Sequence, residues 1–208
     1  EDSIVVTDMG TSFTCSMQSL KMNGHNRLFT SSSQSSMGYG LPGAIGSYFA
    51  QPDKNIILIA GDGGFQMNIQ ELQCVVHYNI PIKMFILNNN GYLAISLMQD
   101  NLFNSKYIGS NTQSGVSSPD FTKVSDAYGI KSFKFNNNTE LENHIDEVLN
   151  YEGTALCEIM MTENQLLVPR VQSKKDNCGN IQSTTLDDMF PHLSNDEKES
   201  IKMEINSI

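Results

Sequence analysis

The sequence predicts an α/β fold in which a doubly wound, mostly parallel sheet of six strands carries helices on both faces. Two apolar runs carry most of this prediction, because residues 55–60 read NIILIA and residues 82–87 read IKMFIL. Uninterrupted apolar runs of this length are typical of strands buried on both faces of a parallel sheet. A segment with helical periodicity, residues 69–78, lies between them. The three pieces therefore form one strand-helix-strand unit.

The same alternation of strand and helix predicts the remaining elements. In chain order, we expect strands at residues 4–7, 27–30, 55–60, 82–87, 130–135 and 155–161. We expect helices at residues 11–22, 37–49, 69–78, 92–102, 120–128 and 139–151, with a polar loop at 107–119. Two pairs of residues have the three-residue spacing of an N-terminal capping box, and so mark helix starts: Asn68 with Glu71, and Thr139 with Glu142.

Composition limits the classes of protein to which the chain can belong. With 208 residues and 39% hydrophobic content, it can bury the core of one domain plus a tail. A formal net charge of -10 argues against nucleic-acid binding, since no basic stripe is present to neutralise phosphates. No apolar stretch approaches ~18 residues and no secretory leader is visible, so we expect neither a membrane span nor export. These features predict a cytoplasmic protein.

Polar motifs follow both of the strongest predicted strands. Gly61-Asp62-Gly63-Gly64 follows the first apolar run, and Asn88-Asn89-Asn90-Gly91 follows the second. Because parallel strands end at the same edge of a sheet, the two motifs are expected to converge there. Asp62, the Asn89 amide oxygen and a main-chain carbonyl near Gly91 are oxygen ligands of the kind that Mg²⁺ prefers. The glycines allow the backbone to approach phosphate groups closely, so the pair predicts a metal-diphosphate site.

Other interpretations of these motifs are less consistent with the sequence. A dinucleotide fingerprint needs a third glycine where Gln66 stands, and an acidic residue about 20 positions further on that is absent here. A P-loop string does not occur in the chain. Either motif alone is a common turn between a strand and a helix. Their pairing at the ends of two strands in one unit is what favours a ligand site.

The spacing of the two motifs, with Asp62 and Asn89 27 positions apart, resembles the fingerprint of thiamine-diphosphate (ThDP) enzymes. Within that family, the chain resembles the carboxyl-terminal cofactor domain of the acetolactate synthase and pyruvate decarboxylase group over residues 3–161. Three further segments carry the resemblance. They are Asp8-Met9-Gly10-Thr11-Ser12, residues 35–44 (SSMGYGLPGA), and Asn89-Asn90-Gly91-Tyr92 with Ile95 and Gln99.

The resemblance implies a role for particular residues. The backbone carbonyl of Ser35 would accept a hydrogen bond from the amino group of the cofactor, and Met37 would wedge between its two rings. Cofactor contacts are implied for Gly10, Thr11, Ser12, Ser35, Met37, Gly61, Gly63, Gly64, Tyr92 and Leu93. Metal ligation is implied for Asp62, Asn89 and Gly91. The glutamate that activates the cofactor in this family lies in an amino-terminal domain of the partner subunit, so no catalytic side chain is expected in this chain.

As a whole, the resemblance implies a Mg²⁺-dependent and ThDP-dependent enzyme that decarboxylates a 2-oxo acid, with pyruvate as the expected substrate. It then transfers the two-carbon unit to a carbonyl acceptor, as a homodimer or homotetramer. The chain begins at Glu1 rather than Met and lacks the amino-terminal and middle domains, so we expect a fragment that is inactive alone. Because the middle domain is the one that binds FAD in true acetolactate synthases, dependence on FAD is unknown.

Several alternatives remain open at this point. Gly10-Thr11-Ser12 is closer to simple decarboxylases, whereas Met37 and the LPGAIG segment favour a carboligase. The chain is also compatible with the separate cofactor subunit of a two-subunit decarboxylase, or with a non-catalytic module. We expect residues 1–163 to form the cofactor domain and residues 164–208 an arm. That arm is either a lid over the mouth of the site, as in synthase-like relatives, or a partly disordered extension.

Overall fold

A computed structural model describes residues 2–175 and 178–205. The described chain forms two compact units. The first comprises the described residues up to Ser96 together with Tyr107–Gln165, and it contains the large sheet. The second comprises Leu97–Lys106 and the described residues from Leu166 onward.

Six strands form the sheet of the first unit, and all neighbouring pairs are parallel, which confirms the predicted fold class. The strands are β1 (Ser3–Thr7), β2 (Arg27–Phe29), β3 (Asn55–Gly61), β4 (Lys83–Asn88), β5 (Lys131–Phe135) and β6 (Ala155–Met160). Their spatial order is β2-β1-β3-β4-β6-β5. The chain leaves β1 toward β2 and then returns to β3 on the other side of β1. The carboxyl ends of β1 and β3 therefore flank a topological switch point, where open parallel sheets bind ligands.

Helices connect these strands. They are α1 (Thr11–Ser19), α2 (Gly40–Ala50), α3 (Asp62–Met67), α4 (Leu72–His77), α5 (Leu93–Phe103), α6 (Phe121–Ala127) and α7 (Asn138–Leu149). Short 3₁₀ turns lie at Ile69–Glu71 and Thr112–Ser114. Three of the predicted helices differ from those observed by three residues or more, and α3 was not predicted. Helix α1 ends at Ser19 rather than at residue 22. The helix predicted at 69–78 is divided into a 3₁₀ turn and α4, and α2 begins later than predicted because Gly38 has a positive φ of 83°.

Apolar side chains cover both faces of the sheet. In β4, Met84 belongs to the larger core and its neighbour Phe85 to the smaller one. In β6, Leu156 and Cys157 are divided between the two cores in the same way. Successive side chains of a strand point to opposite faces, so this alternation places one core on each side. The apolar runs in the sequence, of which the second is interrupted only by the buried Lys83, follow from this two-sided burial.

Both predicted capping boxes are wrong. The Asn68 side chain makes no capping hydrogen bond, and its amide nitrogen instead donates to the carbonyl oxygen of Gly38 at 2.7 Å. Helix α7 is capped by Asn137, whose side-chain oxygen accepts from the Glu140 N–H at 2.9 Å, rather than by Thr139. Because Asn137 and Glu140 have the same spacing as Thr139 and Glu142, the sequence pattern alone could not distinguish the two starts.

The second unit contains elements that the sequence did not predict. A two-stranded antiparallel sheet pairs β7 (Lys174–Lys175) with β8 (Ile181–Gln182), and helix α8 spans Asn195–Ile205. The Ser194 and Glu197 side chains cap the amino-terminal end of α8 reciprocally. Among the described residues, no helix has both the length and the apolarity needed to cross a bilayer.

We expect Asn137→Ala to lower the free energy of unfolding by about 1 kcal/mol, the typical value for loss of a helix N-cap. Thr139→Ala is the matched control, since Thr139 is exposed and makes no capping hydrogen bond at this helix start. Its effect should stay within about 0.5 kcal/mol. Urea unfolding followed by circular dichroism measures both values. Equal losses in the two variants would contradict the observed start of α7.

Candidate functional site

A cavity of about 340 Å³ lies at the carboxyl ends of β1, β3 and β4, within the first unit. Its volume is within the range of about 300–1,000 Å³ typical of small-molecule sites. The lining residues come from the ends of these strands, from the loops or helix starts that follow them, and from the segment before α2. They are Met9, Gly10, Thr11, Ser35, Met37, Gly61, Asp62, Gly63, Gly64, Asn89, Gly91, Tyr92, Leu93, Ala94 and Ile95.

Asp62 connects the two motifs that the sequence paired. It is the first residue of α3, directly after β3, and its side chain is buried. Its Oδ2 atom accepts a hydrogen bond from the Gly91 N–H at 3.0 Å and another from the Ser118 hydroxyl at 2.5 Å. The loop after β4 is therefore attached to the end of β3 through a single carboxylate.

Asn89 presents an acceptor that the described protein leaves open. Its Oδ1 atom is buried and has no hydrogen-bond partner among the described residues. Buried polar atoms are almost always paired, so an exception calls for a ligand or a functional explanation. A cation beside Asn89 would satisfy this oxygen.

The Asp62 carboxylate is also suited to a cation. Burial raises its pKa above the ordinary value for aspartate, and hydrogen bonds from Ser118, Gly63 and Gly91 only partly offset that effect. A neighbouring positive charge favours the ionised form of a carboxylate, so it would counteract the effect of burial. Asp62 and Asn89 therefore fit a hard, oxygen-loving cation.

Few charged side chains are available to such a cation. Within residues 2–175 and 178–205, no three His, Cys, Asp or Glu side chains are grouped as a metal cluster would require. A cation at Asp62 would thus have at most two such side chains, and it would depend also on neutral oxygens and on an anionic ligand bound with it. Mg²⁺ bound with a diphosphate has this pattern of ligands.

Three glycines of the site are required by the packing of the protein itself. A Cβ atom at Gly63 would lie 2.2 Å from a Tyr92 ring carbon, and one at Gly91 would lie 2.6 Å from the Ser110 carbonyl oxygen. A Cβ atom at Gly64 would lie 2.9 Å from the Asp8 carboxylate. Gly61 differs, since a Cβ atom there meets no described atom within 4 Å.

Asp8 is a buried carboxylate to which sequence reasoning gave no role, although it begins one of the segments that carry the resemblance. It accepts hydrogen bonds from the Met9 N–H at 2.6 Å, from the Gly38 N–H at 3.0 Å and from the Gly40 N–H at 3.2 Å. Burial raises its pKa, and these three bonds lower it in part. Its position immediately after a buried strand, which Asp62 shares, is the sequence signal that could have identified it.

The loop that carries Met37 is held on both sides. Ser35 has a positive φ of 51° and Gly38 one of 83°. Asp8 holds the N–H of Gly38, and Asn68 holds its carbonyl oxygen. Met37 itself is partly exposed and lines the cavity.

Ser12 is the one predicted contact residue that does not line the cavity. Its side chain is fully buried, and its hydroxyl donates to the carbonyl oxygens of Asp8 at 3.0 Å and Met9 at 3.4 Å. It therefore stabilises the first turn of α1. Met9 and Ala94 line the cavity although sequence reasoning did not select them, and Ser118 was missed because its partner Asp62 is 56 positions away.

Comparison with known families gives one match that covers most of the chain. The family model described as thiamine pyrophosphate enzyme, C-terminal TPP binding domain, matches residues 8–159. These residues include every strand of the large sheet except β1, which ends just before the match begins, and Met160 at the end of β6. The matched region also includes all of the residues that line the cavity.

The chain is also similar to acetolactate synthases. It is 35% identical over 178 residues to the acetolactate synthase large subunit of Porphyra purpurea, which is 86% of this chain and 30% of that protein. It is 32% identical over 171 residues to the large subunit of Lactococcus lactis subsp. lactis, which is 82% of this chain and 29% of that protein. It is 30% identical to the isozyme 2 large subunit of Escherichia coli K12, over 85% of this chain and 32% of that protein. The chain spans about 30% of the length of these relatives.

We expect Gly63→Ala to lower the free energy of unfolding by about 1–3 kcal/mol, because the new methyl group collides with the Tyr92 ring. Gly61→Ala is the control from the same motif, and its space and extended backbone predict a change below about 1 kcal/mol. Chemical unfolding of both variants measures the difference. In a Tyr92→Ala background the loss caused by Gly63→Ala should shrink, and persistence of the full loss would rule out this collision as its cause.

Proposed function

This chain belongs to the family of thiamine pyrophosphate enzymes as their carboxyl-terminal cofactor-binding domain, and on that premise we propose the following activity. The chain is the cofactor domain of an acetolactate-synthase-like enzyme, in which thiamine pyrophosphate is the cofactor called ThDP above. The complete enzyme decarboxylates a 2-oxo acid, for which we propose pyruvate, and transfers the two-carbon unit to a carbonyl acceptor.

The observation that carries the proposal is the pairing of Asp62 with Asn89 at one edge of the sheet. Asp62 is buried and bound to the Gly91 N–H. Asn89 lines the same cavity, and its buried Oδ1 atom has no partner among the described residues. In the proposed enzyme, Asp62, Asn89 and the Gly91 carbonyl hold Mg²⁺ against the diphosphate. Gly61, Gly63 and Gly64 lie beside the diphosphate, where side chains would obstruct it.

When bound, ThDP supplies the reactive carbon that adds to the carbonyl group of a 2-oxo acid and allows CO₂ to leave. The residues of this chain bind and orient it. The Ser35 carbonyl would accept a hydrogen bond from the amino group of the cofactor, and Met37 would lie between its two rings, since both residues line the cavity. Gly10, Thr11, Tyr92 and Leu93 form further contacts from the loops after β1 and β4. Asp8 and Asn68 hold the Met37 loop in place.

The remaining parts of the proposed enzyme lie outside this chain. We propose that an activating glutamate comes from the pyrimidine-binding domain of a second subunit, in a cytoplasmic homodimer or homotetramer. The chain alone then has half of each cofactor site, so it binds ThDP weakly and is inactive. Whether the enzyme depends on FAD would be determined by the middle domain, which is outside this chain. We further propose that residues 164–208 act as the arm of the domain formed by residues 1–163.

A simple 2-oxo acid decarboxylase is the second candidate. The Gly10-Thr11-Ser12 segment after β1 favours it, since synthases usually carry other residues there. The carboligase has more support, because Met37 and the segment after it are synthase-like and the relatives named above are acetolactate synthases. A separate cofactor subunit of a two-subunit decarboxylase remains the third and least supported arrangement.

In the complete protein, Asn89→Leu should weaken Mg²⁺ binding in the presence of ThDP, because it replaces the open amide oxygen by methyl groups of similar size. Removal of an outer-shell partner lowers metal affinity by about 10–100-fold, and the loss of Mg²⁺ affinity here should be at least as large. Asn89→Asp, which keeps an oxygen at the same position, should retain binding. Titration calorimetry of both variants tests this, and Mg²⁺ affinity unchanged by Asn89→Leu would exclude Asn89 as a ligand.

Product analysis separates the two candidate activities. The complete protein, incubated with pyruvate, ThDP and Mg²⁺, should form acetolactate or another product with a new carbon-carbon bond. The expected product follows from the proposed transfer of the two-carbon unit to a carbonyl acceptor. Acetaldehyde alone, even after candidate aldehyde or keto-sugar acceptors have been added, would assign the protein to the decarboxylases.

A further inference from the structure

Glu158 is a buried carboxylate in the middle of β6, with only 1% of its surface exposed. Its Oε2 atom lies 2.8 Å from Nζ of Lys134 on the neighbouring edge strand β5, with which it forms an ion pair. Its Oε1 atom accepts a hydrogen bond from Nδ2 of Asn88, the last residue of β4, at 2.7 Å. The carboxylate thus connects an edge strand to the end of a central strand.

The Asn88 side chain extends this connection to the proposed cation loop. Its Oδ1 atom accepts a hydrogen bond from the Asn90 N–H at 3.0 Å, and its main-chain carbonyl accepts from the Met161 N–H at 2.8 Å. Asn90 has a left-handed φ of 58° and lies between Asn89 and Gly91. A continuous series of contacts therefore leads from Lys134 to Asn90, which lies between two of the three proposed metal ligands.

Glu158 also fixes which way the Asn88 amide faces. Only the Nδ2 end can donate to a carboxylate, so the Oδ1 end is directed at the Asn90 N–H. If the amide turned over, two acceptors would face each other at Glu158 and two donors would face each other at Asn90. Loss of the carboxylate removes this preference, and with it the support for the left-handed turn at Asn90.

Stability alone gives a weak reason for such an arrangement. Replacement of a buried ion pair by apolar groups of similar size is often neutral or stabilising. Outer-shell groups that orient metal ligands, in contrast, have large effects on metal affinity. The position of Glu158, two contacts from Asn90, is that of an outer-shell group.

We propose that Glu158, held by Lys134, is a positioning residue for the loop that binds the cation and the diphosphate. It acts through Asn88, which sets the backbone at Asn90 and thereby the direction of the Asn89 Oδ1 atom. The inference rests on the proposed function, since it assigns a role in cation binding to residues outside the cavity.

The test measures binding of Mn²⁺, a paramagnetic substitute for Mg²⁺, to the complete protein in the presence of ThDP by electron paramagnetic resonance. Glu158→Gln keeps the shape of the side chain. Because the Lys134 ammonium attracts the new amide oxygen, the amide nitrogen is turned toward Nδ2 of Asn88, which is also a donor. Mn²⁺ binding should weaken about 10–100-fold.

A second variant provides a rescue that a purely structural role would not show. In Glu158→Gln combined with Lys134→Met, the competing cation is gone and the amide oxygen is free to accept from Asn88. Most of the lost Mn²⁺ affinity should return. Leu156→Ala, a core substitution in the same strand, is the control for stability, since it should lower the unfolding midpoint without changing Mn²⁺ binding.

The outcomes separate this inference from the proposed function. Tight Mn²⁺ binding by the wild type together with equal binding by Glu158→Gln would overturn the inference and leave the proposed function intact. If Glu158→Gln weakens Mn²⁺ binding and Lys134→Met does not restore it, the inference is overturned as well. The same holds if Leu156→Ala weakens Mn²⁺ binding as much as Glu158→Gln does, because the effect then follows from lost stability. Absence of Mn²⁺ binding by the wild type in the presence of ThDP would overturn both.

Discussion

The candidate site depends on buried carboxylates that bind backbone N–H groups of distant loops. Asp8 follows β1 and Asp62 follows β3, so the two acidic side chains flank the switch point of the sheet. Asp8 binds the N–H groups of Gly38 and Gly40, and Asp62 binds that of Gly91. Charged acceptors form stronger hydrogen bonds than neutral ones. These bonds bring three loops together at one edge and so form the cavity.

The strands could be predicted from the sequence because their signal is local. Two-sided burial leaves an unbroken apolar run, which marks both the element and its place in the interior. The helix starts could not be predicted so well, because a side chain that could cap a helix can instead bind a residue that is distant in the sequence. Asn is one of the residue types preferred at N-caps, yet the Asn68 side chain binds the Gly38 carbonyl 30 positions away. At α7, two identical spacings competed, and the choice depends on where the chain leaves β5.

The same distinction applies to the site. Asp62, Asn89 and Gly91 were predictable because they follow strands whose ends the fold brings together. The fold also determines the supporting contacts, but the sequence alone does not reveal them. Ser118 binds Asp62 across 56 positions, and Glu158 binds Asn88 across 70. Ser12 shows that a residue in a motif can also have a structural role, since its hydroxyl donates to the Asp8 carbonyl oxygen at the start of its own helix.

The glycines of the site have two explanations, and only one of them involves a ligand. Side chains at Gly63, Gly64 and Gly91 would collide with Tyr92, Asp8 and Ser110, so the fold requires glycine there even without a phosphate. Glycine content alone therefore cannot identify a diphosphate site. The open oxygen of Asn89 has no comparable explanation in the packing of the described protein. A cation would give this oxygen a partner and would also favour the ionised form of the buried Asp62 carboxylate. The proposed cofactor site therefore depends on Asn89 and Asp62 more than on the glycine-rich motif that first suggested it.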